Sequence, residues 1–193
     1  GATICVSPGT STELAIADYF RINNMKFTPI LIQDVNEIHS AFLSGRCDSY
    51  STDGSSLAAF RFQQGDKAND LLLLPEIISK EPLGGMVRKG DDKFFDVVRW
   101  TFFAGLIAEE NGVTQANVDE MLQSKVPQVR RLLGLEGDMG KAIGVDNKFA
   151  YNAIKAVGNY GEMWARDVTP FGVPRALNNL WTKGGLQYAP PMR

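Results

Sequence analysis

The sequence predicts an α/β fold on a parallel, doubly wound sheet, followed by a helical C-terminal part. Short apolar segments alternate with amphipathic ones at the spacing of βαβ units. The first apolar segment, Thr3-Ile4-Cys5-Val6, runs straight into a hydroxyl-rich turn and a helix start, Ser7-Pro8-Gly9-Thr10-Ser11-Thr12-Glu13. A later one, Ser49-Tyr50-Ser51-Thr52, ends on Asp53, with Gly54-Ser55-Ser56 and another helix behind it.

Taken in order, Thr10-Ser11-Thr12-Glu13 is a capping-box pattern, and Leu14, Ile16, Ala17 and Phe20 follow at helical spacing. Asp18 and Arg21 fall on the exposed side, and Asn23-Asn24-Met25-Lys26 closes the helix. Thr28 to Ile32 reads as the next strand, with Pro29 tolerated at a strand start or edge. Val35 to Leu43 is a second amphipathic helix ended by Gly45, and Cys47 to Thr52 is the third strand. A helix over Ser55 to Gln64 and a buried strand over Leu71 to Pro75 follow. Composition shifts around Ser79 to Gly85, and Gly85 to Lys89 reads as one more short strand. Beyond Asp91 the periodicity is helical over Asp92–Glu110, Thr114–Ser124, Val126–Leu133, Asn147–Asp167 and Val173–Thr182. Thr114 and Asp146 are natural N-caps, Gly112 and Gly134 natural stops, and the tail from Gly184 is extended.

With 193 residues and 44% hydrophobic content, the chain can bury one good core or two small ones. A net charge of −2 gives no footprint for nucleic acid or an anionic membrane. No apolar run approaches the roughly 20 residues that span a bilayer. The opening Gly1-Ala2 has neither the basic nor the apolar region of a signal peptide, so an exported protein would be present in its mature form. Cys5 and Cys47 each lie in or beside one of two strands. If those strands are neighbours, the pair falls within disulfide reach, and two buried free thiols are the alternative. Two cysteines and the single His39 do not form a metal-ligand cluster, so neither metal nor cofactor is expected.

The chemistry concentrates at two strand ends. Backbone N–H groups and hydroxyls of Gly9, Thr10, Ser11 and Thr12 at a helix start suit an anion, although Ser and Thr cap ordinary helices as well. Asp53 offers a carboxylate to a cation, or merely caps the helix behind it. Neighbouring parallel strands bring both to one carboxyl edge, where α/β proteins bind ligands, and the pair suits a zwitterion such as a free amino acid. Neither glycine-serine turn is the Gly-x-Ser-x-Gly elbow of hydrolases, and His39 reads as a packing or surface residue rather than a general base. Phe94, Phe95, Trp100, Phe102, Phe103 and Trp164 read as core or lobe-packing residues, and Asp91-Asp92 as a helix start. No enzyme constellation emerges. Two alternatives share the strand-turn-helix pattern: a flavin- or phosphate-binding protein using the Gly9–Thr12 turn, and the effector domain of a transcription regulator.

Longer stretches carry a family resemblance. Ile4 to Leu14, Gly45 to Asp53, Pro75 to Gly84, Gly112 to Asp119, Val157 to Glu162 and Trp181 to Pro191 resemble the periplasmic solute-binding proteins of polar and general L-amino-acid ABC transporters. The resemblance covers essentially the whole chain. It implies a type II periplasmic-binding-protein lobe, a non-enzymatic role in amino-acid import, a periplasmic location, and permease subunits and a free L-amino acid as partners. The groups around Thr10, Ser11 and Thr12 would take the ligand carboxylate and Asp53 its ammonium. Ser7, short where relatives often carry a longer residue, would line the side-chain pocket. By this resemblance residues 1–78 form the second lobe, 79–135 the returning part of the first, and 136–193 a C-terminal extension. Most of the first lobe, with the opposite wall of the cleft, has no counterpart here, and half a cleft is expected to bind amino acids weakly or undetectably. An unpartnered strand over Gly85–Lys89 would invite pairing into a homodimer.

Overall fold

In the computed structural model, which describes residues 1–193, the chain divides into two compact units, Gly1–Leu83 and Gly84–Arg193. In the first, β1 (Ala2–Val6) is the central strand of a three-stranded parallel sheet, with β2 (Phe27–Leu31) on one side and β3 (Ser49–Tyr50) on the other. Cys5 stands opposite both Ile30 and Tyr50. The ladder runs past the strand ends, because Ile32 N–H donates to Val6 O at 3.2 Å and Ser51 N–H to Cys5 O at 3.1 Å.

The period-2 alternation of β1 sets where the helices sit. Ile4 and Val6 face α1 (Ser11–Ile22), burying Ile16 with Phe20, Phe27 and Ile78 packed alongside. Cys5 faces the other way, toward α2 (Val35–Leu43), in a cluster with Ile32, Ile38, Ala41 and Cys47. Helices on both faces of a parallel sheet make this unit doubly wound. Asp34 caps α2, its Oδ1 accepting from Asn36 and Glu37 N–H, and Gly45 stops it in the left-handed conformation that only glycine adopts cheaply. A helix α3 (Gly54–Gln63) follows β3.

Two links tie β1 to the start of β3. Cys5 and Cys47 form a disulfide with Cα atoms 5.7 Å apart, and both residues are buried. Asp48 Oδ2 accepts from Thr3 N–H and Thr3 Oγ1, both at 2.7 Å, and Asp48 N–H donates back to Thr3 Oγ1 at 3.0 Å. These bonds hold the Asp48 carboxyl below the usual aspartate range.

The second unit is helical. The long helix α4 (Asp92–Glu110) buries Ala104, Leu106, Ile107 and Ala108 on its C-terminal half. Around that half pack α5 (Pro127–Leu132), the single-turn α6 (Met139–Ala142), α7 (Phe149–Val157) and α8 (Tyr160–Asp167). The tail returns to the same core through Ala189 and Met192, and Arg131 Nε donates to Met192 O.

Several expected elements differ. Leu71–Pro75 is not a strand: Leu72, Leu73 and Leu74 are exposed, and no strand of the chain offers them a ladder. Gly85–Lys89 is irregular for the same reason, so the strand on which the pairing expectation rested does not form. The helix expected over Asn147–Asp167 is two helices, broken at Gly158 (φ +83°), where Asn159 opens α8 with a capping box to Glu162. Thr114–Ser124 and Val173–Thr182 contain only short 3-10 turns, at Glu120–Gln123 and at Ala176–Asn178 and Trp181–Lys183. Thr114 and Asn117 exchange side-chain bonds with each other's N–H, which closes a turn instead of starting a long helix.

Candidate functional site

The order β2-β1-β3 reverses direction at β1: the chain leaves β1 toward β2, then crosses back to β3. At such a switch the two outgoing turns diverge and leave a crevice at the carboxyl ends of the strands. The turn from β1 is Ser7–Thr10 and the turn from β3 leads to Asp53. The structure therefore brings the two sequence-predicted seats to one edge, on adjacent parallel strands.

The first seat is built by a small ring of bonds. Thr10 is the N-cap of α1, and its Oγ1 donates to Ser7 O at 2.8 Å while accepting from Glu13 N–H at 3.2 Å. Gly9 takes φ +71°, a left-handed turn directly before the N-cap of α1. The capping box expected here is only half present. Glu13 Oε2 accepts not from Thr10 N–H but from Gly9 N–H, at 2.6 Å. No group of the chain accepts from the N–H of Thr10, Ser11 or Thr12, which lie at the positive end of the α1 dipole. Unpaired N–H donors at a helix start are chemically suited to an anion.

The second seat is Asp53, half-buried at the N-cap position of α3. Its side chain makes no cap bond to that helix, so the helix-capping alternative does not hold for its carboxylate. Aromatic packing joins β3 and α3, the two elements that meet at Asp53. Phe60 of α3 is buried, stacks on His39 of α2 at 4.2 Å between ring centroids, and meets Tyr50 of β3 edge-on at 6.1 Å. Burial lowers the pKa of His39, which suits a neutral packing ring. Burial raises that of Tyr50, and the nearby Asp53 charge acts in the same direction against a hydrogen bond to Thr52. Ser7 lies half-buried at the end of β1, its carbonyl engaged with Thr10.

The aromatic set joining α2, β3 and α3 and the Glu13–Gly9 bond were not read from the sequence, although Glu13 standing four residues after a turn glycine was a usable signal. No group of three or more His, Cys, Asp or Glu side chains is placed to hold a metal ion, and no helix is long and apolar enough to cross a membrane.

No protein-family model matches the chain. Individual proteins match it throughout. It is 54% identical to the glutamate/glutamine/aspartate/asparagine-binding protein BztA of Rhodobacter capsulatus, over all of this chain and 58% of that protein. It is 50% identical to the general L-amino acid-binding periplasmic protein AapJ of Rhizobium johnstonii, with the same coverage. Among solved structures it matches an ABC transporter periplasmic binding protein from Brucella ovis with glutathione bound, at TM-score 0.95 and 50% identity, over all of this chain and 61% of that one. The chain thus spans about three-fifths of the length of these relatives. Over its whole length it is a homologue of the solute-binding proteins of amino-acid ABC transporters and shares the periplasmic-binding-protein fold.

Proposed function

We propose that this chain carries one wall of an amino-acid-binding cleft in the solute-binding component of an ABC importer. The N–H groups of Thr10, Ser11 and Thr12 take the ligand α-carboxylate, and Asp53 takes the α-ammonium in a charge-assisted bond. Ser7, at the root of the turn, borders the side chain. The observation that carries the reading is that Asp53 stands at a helix N-cap without capping it, at the same switch-point edge as three unused N–H donors.

The ligands named for the relatives agree with that chemistry. Glutamate, glutamine, aspartate and asparagine differ in side chain, and glutathione differs in size. Each has a free α-carboxylate and α-ammonium on one carbon. A site that reads only this head tolerates variation beyond it, and a serine at position 7 adds no charge to select among side chains. The buried disulfide suits an oxidising compartment such as the periplasm, where the permease subunits would receive the loaded protein.

One wall supplies few contacts, so binding by this chain is expected in the millimolar range. Amide NMR titration tests the reading. L-glutamate and glutathione should both move the Thr10–Thr12 and Asp53 amides, whereas glutarate, which lacks the ammonium, should move only the turn. Movement of all these amides by glutarate to the same extent, or of none by L-glutamate, would overturn it.

A further inference from the structure

We propose that Glu13 is a positioning residue for the carboxylate seat, holding the turn from outside so that the Thr10 N–H remains open to the ligand. The proposal rests on the amino-acid reading of this turn and adds a residue to it. In an ordinary capping box the N3 glutamate returns to the N-cap N–H and consumes that donor. Here the carboxylate reaches one residue further back, to Gly9 N–H at 2.6 Å. Its own N–H is meanwhile held by Thr10 Oγ1, which is anchored in turn on Ser7 O. Glu13 thus holds two successive residues at the end of the turn that enters α1, Gly9 and Thr10.

The shift by one residue has two consequences. Gly9, at φ +71°, is tied down by a charge-assisted bond from its N–H to a carboxylate within the chain. The donors at Thr10, Ser11 and Thr12 are left as an unbroken run, which matches the two oxygens of a carboxylate better than a pair would. The bond from Gly9 needs an acceptor oxygen at the length of a glutamate side chain, not a negative charge as such. A charge there also opposes an incoming anion, so removing it while keeping the oxygen should not weaken binding.

Three variants separate these roles. Glu13→Gln keeps the length and an acceptor oxygen, Glu13→Asp keeps the charge but falls short of Gly9, and Glu13→Ala keeps neither. In the ligand-free chain the Gly9 amide proton should stay in its hydrogen-bonded position in Glu13→Gln and move in Glu13→Asp and Glu13→Ala. Affinity for L-glutamate should be retained or raised in Glu13→Gln and fall by about three- to tenfold in the other two, the net worth of one hydrogen bond. Rescue by glutamine distinguishes positioning from a charge effect, and an unchanged melting temperature in Glu13→Gln distinguishes it from general destabilisation. Glu13→Gln binding as weakly as Glu13→Ala, or a Gly9 amide unmoved in Glu13→Asp, would overturn the proposal. If the unsubstituted chain ignores L-glutamate, the amino-acid reading fails, while the ligand-free Gly9 and Thr10–Thr12 amides still decide whether Glu13 shapes the turn.

Discussion

Arg175 closes both terminal nitrogens on the two carboxylate oxygens of Glu109, at 2.7 and 2.6 Å, with the glutamate side chain only 9% exposed and the arginine 16%. The guanidinium also lies over the Tyr160 ring, 5.0 Å from its centroid, and the hydrogen bonds to Glu109 raise its pKa further. Lys183 stands 3.6 Å from the same carboxylate. The pair joins the end of α4 to the segment after α8, and Trp181 adds a bond from its Nε1 to Glu110 at 2.8 Å.

Removing one partner of such a pair strands the other charge in a poorly hydrated site. Arg175→Ala should destabilise the second unit by roughly 3 kcal/mol, because Lys183 alone is a single, more distant cation. Arg175→Lys should recover only part of this, since an ammonium cannot meet both oxygens. All three tryptophans, Trp100, Trp164 and Trp181, belong to the second unit. Urea unfolding followed by tryptophan fluorescence therefore reads this unit directly, and an unchanged midpoint in Arg175→Ala would show that the pair contributes nothing.

The disulfide acts on the other unit. It closes a loop across 42 positions that contains α1, β2 and α2, and it joins the strand that feeds the carboxylate seat to the one that feeds Asp53. Constraining an unfolded loop of that length is worth roughly 2–4 kcal/mol. Reduction, or Cys5→Ala with Cys47→Ala, should lower the protection of the β1 and β2 amides from hydrogen exchange by about that amount. The tryptophan-monitored transition should stay where it is. Equal loss in both units would mean that the two do not unfold separately.

How much of this was legible follows from where each feature gets its partners. Helices α1, α2 and α4 carry their own caps and periodicity, and α4 falls on the expected Asp92–Glu110 without adjustment. The Thr10 cap of α1 was legible because a strand end followed by a hydroxyl cap is a local signal, whereas the absence of a cap bond from Asp53 to α3 was not. Leu71–Pro75 and Gly85–Lys89 were not, because an apolar segment becomes a strand only beside another strand, and the chain places none there. The break at Gly158 was obscured by helical periodicity on both sides. It is enforced by Asn159, 5% exposed, whose Nδ2 donates to Val113 O while its Oδ1 accepts from Glu162 N–H. The bond from Gly9 to Glu13 was hidden for a subtler reason. The capping-box pattern names the right two residues but not which N–H the carboxylate selects.

Asp48 gives the first unit an acid-sensitive clasp. Its hydrogen bonds from Thr3 hold its folded pKa below the ordinary aspartate value. The folded state therefore binds this proton less readily than the unfolded one. The stabilisation is fully present above the ordinary aspartate pKa and is lost as pH falls through the lower folded value. Asp48→Asn should flatten that part of the acid-unfolding profile of the first unit and leave the neutral-pH affinity of the site unchanged. A profile that keeps its full acid dependence in Asp48→Asn would assign the effect to other carboxylates.

Asp53 allows binding and stability to be separated. A capping aspartate replaced by alanine costs about 1 kcal/mol of helix stability. Asp53 makes no such bond, and Leu57 N–H bonds only its backbone carbonyl, at 3.0 Å, which survives substitution. Asp53→Asn should accordingly leave the melting temperature of the first unit unchanged while removing the charge that attracts an ammonium. In the amide titration L-glutamate should then behave as glutarate does, moving the Thr10–Thr12 amides and not the region of residue 53. Losing a charge-assisted bond of this kind weakens binding by about ten- to a hundredfold. A lowered melting temperature with unaltered glutamate response would reverse the assignment and make Asp53 a structural cap.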